Sequence, residues 1–515
     1  MLRRLGSQLS IAAVLMGALL LALPAHGEDS PKDAKNPPAD HAAAKEDEIH
    51  LPPFPADKSV AQSIQLNGRT LKYQATVGSL PVLDEKGKTI AHVMFTAYTM
   101  PGADRPVTFA LNGGPGASSV YLNLGALGPK RVQFGADGDS PSDPATLRDN
   151  PGTWLDFTDL VFIDPVGTGF SYAEIPEKEA KQKFYTAQAD IEYLSRIIFD
   201  WLVKNERLQS RKYLVGESYG GFRGPRITHY LQTQLGVGVN GLVLVSPYLE
   251  PATFDTGDLS PLPWMLTLPT IAAANLERQG KLTDAAMAEI IAYTRGPYVT
   301  DLLRGPDPQA LERIVQRVTE LSGLPADFVR YSGGRLETQA YLREVYRSEG
   351  KLGSRYDSNV KSWDPFPFSP TQRNNDPILD SIIAPTTTAM VDFITRVVGW
   401  KYVGRYNALS YKVNELWTPA GQGPTEREWS QERGSVTDLR EAVAIDEKLR
   451  VLIVHGWSDL SCPFMASVLI VDQMPRMGDP NRVQVKEYAG GHMFYSRGPS
   501  QISLRNDVMQ MYKAH

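Results

Sequence analysis

Cysteine is almost absent from this chain of 515 residues, in which Cys462 is the one example. A single thiol excludes an intrachain disulfide framework and a zinc cluster built from cysteines. The sequence also lacks any Asn-x-Ser/Thr acceptor for N-glycosylation. Lysine and arginine form no run, and with a net charge of −5 the chain is not expected to bind nucleic acid. The remaining composition, 42% hydrophobic and 22% charged, is typical of a folded protein with a large core.

The N-terminus has the pattern of an export signal. Two arginines precede an apolar run over residues 9–23, and Ala25 and Gly27 stand at the −3 and −1 positions of a cut before Glu28. Because the run is short for a membrane span, we predict a cleaved signal over residues 1–27, with a retained anchor as the alternative. Without disulfides and glycosylation acceptors, the exported protein is expected to be bacterial, either periplasmic or secreted, with no stable membrane association after cleavage.

The rest of the chain divides into four segments by composition and periodicity. Residues 28–58 are rich in Pro, Ala and charged side chains and predict a disordered leader. Alternating strand and helix patterns over residues 59–249 and 441–515 predict an α/β core with a mostly parallel sheet. Residues 250–440 predict a large, mainly helical insertion, or lid.

Two kinds of periodicity support this division. Apolar residues at helical spacing predict helices over Phe184–Lys204 and Pro308–Leu324. Alternation or short apolar runs predict strands over Leu71–Val77, His92–Thr99, Val107–Leu111, Thr158–Ile163, Lys212–Val215, Gly241–Ser246, Arg450–Val454 and Val483–Tyr488.

The sharpest motif is Gly-Glu-Ser-Tyr-Gly at residues 216–220, directly after a predicted strand and before a predicted helix. This is the context that a G-x-S-x-G nucleophile elbow requires. A serine on such a sharp turn projects its hydroxyl from the sheet edge, and side chains at Gly216 and Gly220 would collide with the neighbouring elements. The motif therefore predicts Ser218 as a nucleophile on an α/β-hydrolase core. The alternative is a glycine-rich strand–helix turn without a catalytic role.

A serine nucleophile needs a base and an acid that orients the base. The chain has eight histidines, and elimination leaves His455 and His492. His492 lies in a glycine-rich loop after a predicted strand, so it is the predicted base, whereas His455 ends a strand and is expected to be structural. Asp459 follows the strand Arg450–Val454 and precedes the histidine, which matches the Ser-acid-His order. Glu250 is the alternative acid.

Negative charge on the reacting oxygen requires backbone N–H donors. One predicted donor is Tyr219, the residue after the nucleophile. The other is predicted in the glycine-rich loop after the strand Val107–Leu111, where we select Gly114. A plain Gly-Pro turn is the alternative reading of that loop.

Five stretches, taken together and in this order, resemble the serine carboxypeptidase family. They are Asn112-Gly-Gly-Pro-Gly-Ala-Ser-Ser119, Phe162-Ile-Asp-Pro-Val-Gly-Thr-Gly-Phe-Ser-Tyr172, Gly216-Glu-Ser-Tyr-Gly-Gly221, Asp459-Leu-Ser-Cys462 and Gly491-His-Met493.

The resemblance implies roles that the residues alone do not. It implies that Asn112 and Glu217 hold the C-terminal carboxylate of a peptide, Glu217 through a shared proton that favours acidic pH. It also implies substrate-binding positions at Gly113 and Met493, and a wall of the site at Trp154.

Three positions depart from the family pattern. Ala126 stands where the family often has a glutamate, so we expect a reduced carboxylate-binding network. Ala117 and Pro463 replace a family cysteine and asparagine. Cys462 is retained and resembles an unpaired thiol of the family near the site, although a small buried residue is an equal alternative.

The expected protein is a serine carboxypeptidase that removes single residues from peptide C-termini through an acyl-enzyme. No metal or cofactor is expected, and the expected partner is a peptide with a free C-terminal carboxylate. An esterase or acyltransferase on the same scaffold would share the triad, and a catalytically silent binding protein is a third reading.

Overall fold

The computed structural model describes residues 52–102, 104–132, 141–254, 256, 259–369, 376–418 and 434–513. The predicted signal over residues 1–27 and the predicted leader up to residue 51 lie outside the described residues. The end of that leader differs from the prediction, because Phe54 packs its ring against Trp400 and Tyr402 at centroid distances of 5.2 and 4.6 Å.

One large sheet organises the fold. Its strands are β1 (Lys58–Leu66), β2 (Arg69–Leu83), β3 (Thr89–Thr99), β4 (Val107–Leu111), β7 (Asp159–Ile163), β8 (Tyr172–Ala173), β9 (Lys212–Glu217), β10 (Gly241–Val245), β13 (Arg450–Gly456) and β14 (Val483–Tyr488). Two small hairpins consist of β5 (Lys130–Arg131) with β6 (Arg148–Asp149), and of β11 (Lys351–Gly353) with β12 (Lys361–Trp363).

The sheet is mostly parallel, as predicted. Its strands stand in the order β1-β2-β3-β7-β4-β9-β10-β13-β14, with β8 paired to β3. Pairing is parallel from β7 to β14 and antiparallel among β1, β2, β3 and β7. Every residue of β4, β7 and β10 is buried, as expected where helices cover both faces of a parallel sheet.

The first strand was not predicted, since the first predicted strand begins at Leu71. In β1 only Ile64 and Leu66 are buried, and Ser and Gln side chains face outward. Because β1 is an edge strand with one polar face, its hydrophobic signal is weak.

Helices make up much of the rest of the described chain. They are α1 (Glu177–Phe184), α2 (Ala187–Lys204), α3 (Tyr219–Gln234), α4 (Leu262–Arg278), α5 (Asp284–Tyr293), α6 (Val299–Leu303), α7 (Pro308–Ser322), α8 (Ala326–Tyr331), α9 (Thr338–Glu344), α10 (Pro377–Asp392), α11 (Tyr411–Leu416), α12 (Val436–Ile445), α13 (Phe464–Asp472) and α14 (Gly498–Lys513). Residues of α2, α3 and α12 form one core with alternate sheet residues, and those of α10 and α14 form the other.

The predicted insertion at 250–440 divides between two environments. Helices α4 to α9 form a separate apolar core with α13, which follows the strand β13. By contrast, α10 and α12 pack on the sheet itself. The helical layer formed by α4 to α9 is therefore attached at the end of the sheet where the predicted acid lies.

The stretch Pro377–Val398 is long and apolar enough to cross a membrane, by length and composition alone. Ile382, Phe393 and Ile394 in this stretch are buried against residues of the sheet. These contacts are those of a core helix.

Candidate active site

The serine elbow has the predicted geometry. Strand β9 ends at Glu217, α3 begins at Tyr219, and Ser218 between them has φ 60° and ψ −120°. A Cβ on Gly216 would lie 2.0 Å from the Gly220 carbonyl oxygen, so only glycine fits this close approach. Such a backbone conformation costs about 1–3 kcal/mol and is characteristic of functional sites.

The histidine and the aspartate meet as expected. His492 Nδ1 and Asp459 Oδ2 are 2.8 Å apart, and both side chains are buried. The other oxygen, Asp459 Oδ1, accepts hydrogen bonds from the backbone N–H groups of Ser461 at 2.8 Å and Cys462 at 3.0 Å. The carboxylate is therefore fixed on both oxygens, and it orients the imidazole through Nδ1.

Electrostatics favour a proton on this histidine. Burial opposes the charged imidazolium, but the Asp459 charge and hydrogen bond outweigh it and raise the pKa of His492 well above its ordinary value of 6.5. The pair is therefore suited to stabilise an imidazolium.

The two alternative residues have other contacts. His455 is fully buried between the Cys462 carbonyl oxygen and the Ser467 hydroxyl, and burial lowers the pKa of its imidazole to about 4. Glu250 caps the turn Pro251–Thr253 by accepting from the Ala252 N–H at 3.3 Å.

The predicted donor loop lies against the elbow. A Cβ on Gly113 would lie 2.4 Å from the Tyr219 nitrogen, so the loop backbone approaches this predicted donor closely. The loop is anchored by Arg223, which donates to the Asn112 carbonyl oxygen at 2.8 Å and forms a fully buried ion pair with Asp190 at 2.6 Å.

One cavity of about 760 Å³ opens over these groups. It is lined by the predicted residues Asn112, Gly113, Gly114, Glu217, Ser218, Tyr219, His492 and Met493. The remainder of its described lining is Pro115, Ala117, Tyr121, Phe222, Tyr248, Pro251, Arg355, Tyr356, Leu379, Leu409, Ser410, Tyr411, Asn414, Trp417, Ser461 and Cys462.

Trp154 is placed differently from the prediction. Its side chain is buried, and its ring packs on Phe157 and Tyr512 at centroid distances of 6.1 and 6.5 Å. It is not among the described residues that line the cavity. A tryptophan in an Asn-Pro-Gly-Thr-Trp stretch has the same sequence pattern in a core as in a binding site, which explains the difference.

A buried carboxyl group lies beside the nucleophile. Glu217 is 3% exposed, and burial raises the pKa of its carboxyl to about 7, despite the opposing effects of His492, Tyr495 and Asn112. Glu217 Oε2 accepts from the Tyr495 hydroxyl at 2.7 Å. The Asn112 side chain also acts on this carboxyl and opposes the rise of its pKa. Because Asn112 Oδ1 accepts from the Leu122 N–H at 2.9 Å, the amide NH₂ is the group that can donate toward Glu217.

Two tyrosines at the site were missed by the sequence reasoning. Tyr495 lies three residues after His492, in the turn Phe494–Ser496, and no motif marks it. Tyr121 lines the cavity, and its buried hydroxyl has no hydrogen-bond partner among the described residues. A hydroxyl in that position can bond a bound molecule.

The described residues contain one close group of potential metal ligands, namely Asp459, Cys462 and His492, whose ligand atoms lie within 4.8 Å of one another. His492 Nδ1 and Asp459 Oδ2 are already bonded to each other. Burial also raises the pKa of the Cys462 thiol, whereas a metal requires the thiolate. This donor set fits a hydrogen-bonded pair better than a metal centre.

The sheet with its flanking helices defines a protein of the α/β-hydrolase fold. A solved structure, the prohormone-processing carboxypeptidase Kex1(delta)p from Saccharomyces cerevisiae, has a TM-score of 0.53 and 16% sequence identity, and the comparison covers 86% of this chain and 91% of that one. At this identity, the likeness shows the fold alone.

Sequence comparisons support the serine carboxypeptidase family. The family described as serine carboxypeptidase matches residues 67–254. Serine carboxypeptidase-like 50 from Arabidopsis thaliana is 33% identical over 184 residues, which cover 34% of this chain and 38% of that protein.

A fungal relative matches a similar part of the chain. The pheromone-processing carboxypeptidase KEX1 from Ogataea parapolymorpha is 32% identical over 184 residues, which cover 35% of this chain and 26% of that protein. The matched segments thus span less than half of the length of these relatives.

Proposed function

We propose that this protein is a serine carboxypeptidase that releases single residues from peptide C-termini. The observation that carries the proposal is the buried Glu217 carboxyl, which directly precedes the nucleophile, lines the same cavity and has a pKa of about 7. A carboxyl that keeps its proton near neutral pH can donate to a substrate carboxylate, as the adjacent Asn112 amide also can. This pair is suited to anchoring a peptide terminus beside the reactive serine.

The chemistry proceeds through an acyl-enzyme. Ser218 attacks the last peptide carbonyl while His492 removes the serine proton and Asp459 stabilises the resulting imidazolium. The backbone N–H groups of Gly114 and Tyr219 stabilise the developing oxyanion. His492 then protonates the leaving amine, and the free C-terminal amino acid departs. Water, activated by the same histidine, hydrolyses the ester on the serine.

Recognition of the carboxylate requires one proton at Glu217. When Glu217 is protonated, its hydroxyl donates to the substrate carboxylate; when it is ionised, two negative charges oppose each other. Binding of a free-acid peptide should therefore weaken as the pH rises above about 7, the pKa of this carboxyl.

A matched pair of substrates tests the proposal. A blocked dipeptide with a free C-terminus and the same dipeptide with a C-terminal amide would be compared over a series from about pH 5 to about pH 9, with Ser218→Ala as the inactive control. We expect strong preference for the free acid. Equal rates on the two substrates would overturn the carboxypeptidase assignment and favour an esterase or acyltransferase with the same triad. If a fluorophosphonate did not label Ser218 covalently, a catalytically silent binding protein would be favoured.

The cellular setting follows from the N-terminal pattern. The signal-like residues 1–27 support export, and the absence of disulfides and glycosylation acceptors supports a bacterial periplasmic or secreted location. We propose short or unfolded peptides with free C-termini as substrates in that compartment.

A further inference from the structure

The carboxyl group of Glu217 is hydrogen-bonded from the interior of the protein. Tyr495 donates to Glu217 Oε2 at 2.7 Å. The tyrosine is fully buried, and it is not among the described residues that line the cavity, whereas Glu217 is. The hydroxyl therefore bonds the inner carboxyl oxygen and leaves the other oxygen for the cavity.

We propose that Tyr495 is a positioning residue that holds the Glu217 proton on the oxygen facing the substrate carboxylate. This inference rests on the proposed function. An oxygen that accepts from a tyrosine hydroxyl is the carbonyl-like oxygen of a protonated carboxyl group, so the proton resides on the other oxygen. With its donor direction fixed in advance, the carboxyl binds a peptide terminus without first reorienting.

The hydroxyl keeps its role over the working pH range. Burial and the nearby Glu217 charge raise the pKa of Tyr495 well above 10, so this group stays a donor. The other ionisable groups that act on Glu217 are His492 and Asp459, and the buried Tyr121 also interacts with it. Among these, the His492 imidazole has a pKa that the Asp459 charge raises well above 6.5, so its charge is also a function of pH.

One short segment carries both the base and this donor. His492 is followed by the turn Phe494–Ser496, in which Phe494 stacks on Tyr488 at 4.9 Å between ring centroids. The turn packs against the segment Leu122–Leu127, which contains Ala126. Ala126 has no side-chain group that could hydrogen-bond Glu217. The interior hydrogen bond to Glu217 comes instead from Tyr495, in another part of the chain.

The test is Tyr495→Phe, which removes one hydroxyl and keeps the ring. The matched control is Tyr488→Phe, because the Tyr488 hydroxyl also donates to a carboxylate, Asp507 Oδ2, at 2.6 Å and Tyr488 does not line the described cavity. Thermal unfolding would establish that both variants fold. KM and kcat would be measured from about pH 5 to about pH 9 on the free-acid and amide forms of one blocked dipeptide.

For Tyr495→Phe we expect KM for the free acid to rise about fivefold at acidic pH, with kcat changed less than about twofold. The lost hydrogen bond also stabilises ionised Glu217, so the rise of KM with pH should move upward by about one pH unit. The amide substrate and the Tyr488→Phe control should show neither change.

If the folded Tyr495→Phe variant showed the same dependence of KM on pH as the wild type, the proposal would be overturned. An equal rise of KM for the free-acid and amide substrates would also overturn it. Infrared titration of the Glu217 carboxyl in the protein without substrate gives a separate readout. If the wild type does not distinguish free acid from amide, the proposed function fails, while an upward shift of the infrared titration in Tyr495→Phe would still show that this hydroxyl controls the Glu217 proton.

Discussion

The substitution Glu217→Gln removes the one proton on which the proposed carboxylate recognition depends. In the wild type, burial raises the pKa of this carboxyl to about 7. The protonated fraction then falls from about 97% at pH 5.5 to about 3% at pH 8.5. If only the protonated form binds the free acid, KM should rise roughly thirtyfold across that interval.

Glutamine cannot ionise, and its amide keeps a donor at the same place. The variant should therefore show a KM for the free-acid dipeptide that is nearly constant over the same pH interval, while kcat still depends on His492. Initial rates over a substrate series at each pH give both constants. A flat KM in the wild type, or the same pH dependence of KM in wild type and variant, would refute the reasoning.

The same substitution has a consequence for stability. A carboxyl whose pKa is raised on folding contributes stability that is fully present below its unfolded pKa and is lost as the pH rises through its folded pKa of about 7. The wild type should lose roughly 3 kcal/mol of unfolding free energy from this group between acidic and mildly alkaline pH. Urea unfolding of wild type and Glu217→Gln at acidic and at mildly alkaline pH measures how much the unfolding free energy of each changes with pH. A larger change in the variant than in the wild type would contradict the raised pKa of Glu217.

Three further substitutions test the triad, the donor loop and its support. Asp459→Asn should lower kcat by about 10⁴ with little change in KM, because the imidazole loses its orienting carboxylate, and unchanged kinetics would exclude this aspartate. Gly113→Ala should lower kcat by about 10²–10³, since its Cβ would lie 2.4 Å from the Tyr219 nitrogen; a normal kcat would show that this N–H is not a donor. Arg223→Met should cost about 3–5 kcal/mol of unfolding free energy, because it leaves the buried Asp190 carboxylate unpaired. Disrupting the exposed Arg196–Asp200 pair should cost less than about 1 kcal/mol. Equal losses of unfolding free energy in the two cases would contradict the argument.

The fold was predictable where hydrophobic periodicity is strong. The parallel strands β4, β7 and β10 consist mostly of apolar residues, and the structure places them, together with β9, at the centre of the sheet. Strand β1 lies at the edge with one polar face, so its pattern resembles that of the polar leader before it. The division of residues 250–440 between two cores depends on tertiary contacts that no local pattern contains.

The site was predictable where its chemistry is local. A serine elbow requires glycines at fixed spacing, and a loop after a strand can be recognised from its neighbours in sequence. The sequence therefore predicts the turn at Ser218 and the pair of Asp459 with His492, and the structure has both features. The hydrogen bond between Tyr495 and Glu217 joins residues 278 positions apart. Its partners are ordinary in sequence, and their relation exists only after the chain has folded.

The most direct test of the central claim is product analysis on an intact peptide. A peptide of several residues with a free C-terminus would be incubated with the wild type, and products would be identified by mass spectrometry over time, with Ser218→Ala as the control. The proposed function predicts a ladder of products that lose one residue at a time from the C-terminus, and none with the variant or with a C-terminally amidated peptide. Internal cleavage, loss of N-terminal residues or an equal ladder from the amidated peptide would contradict it.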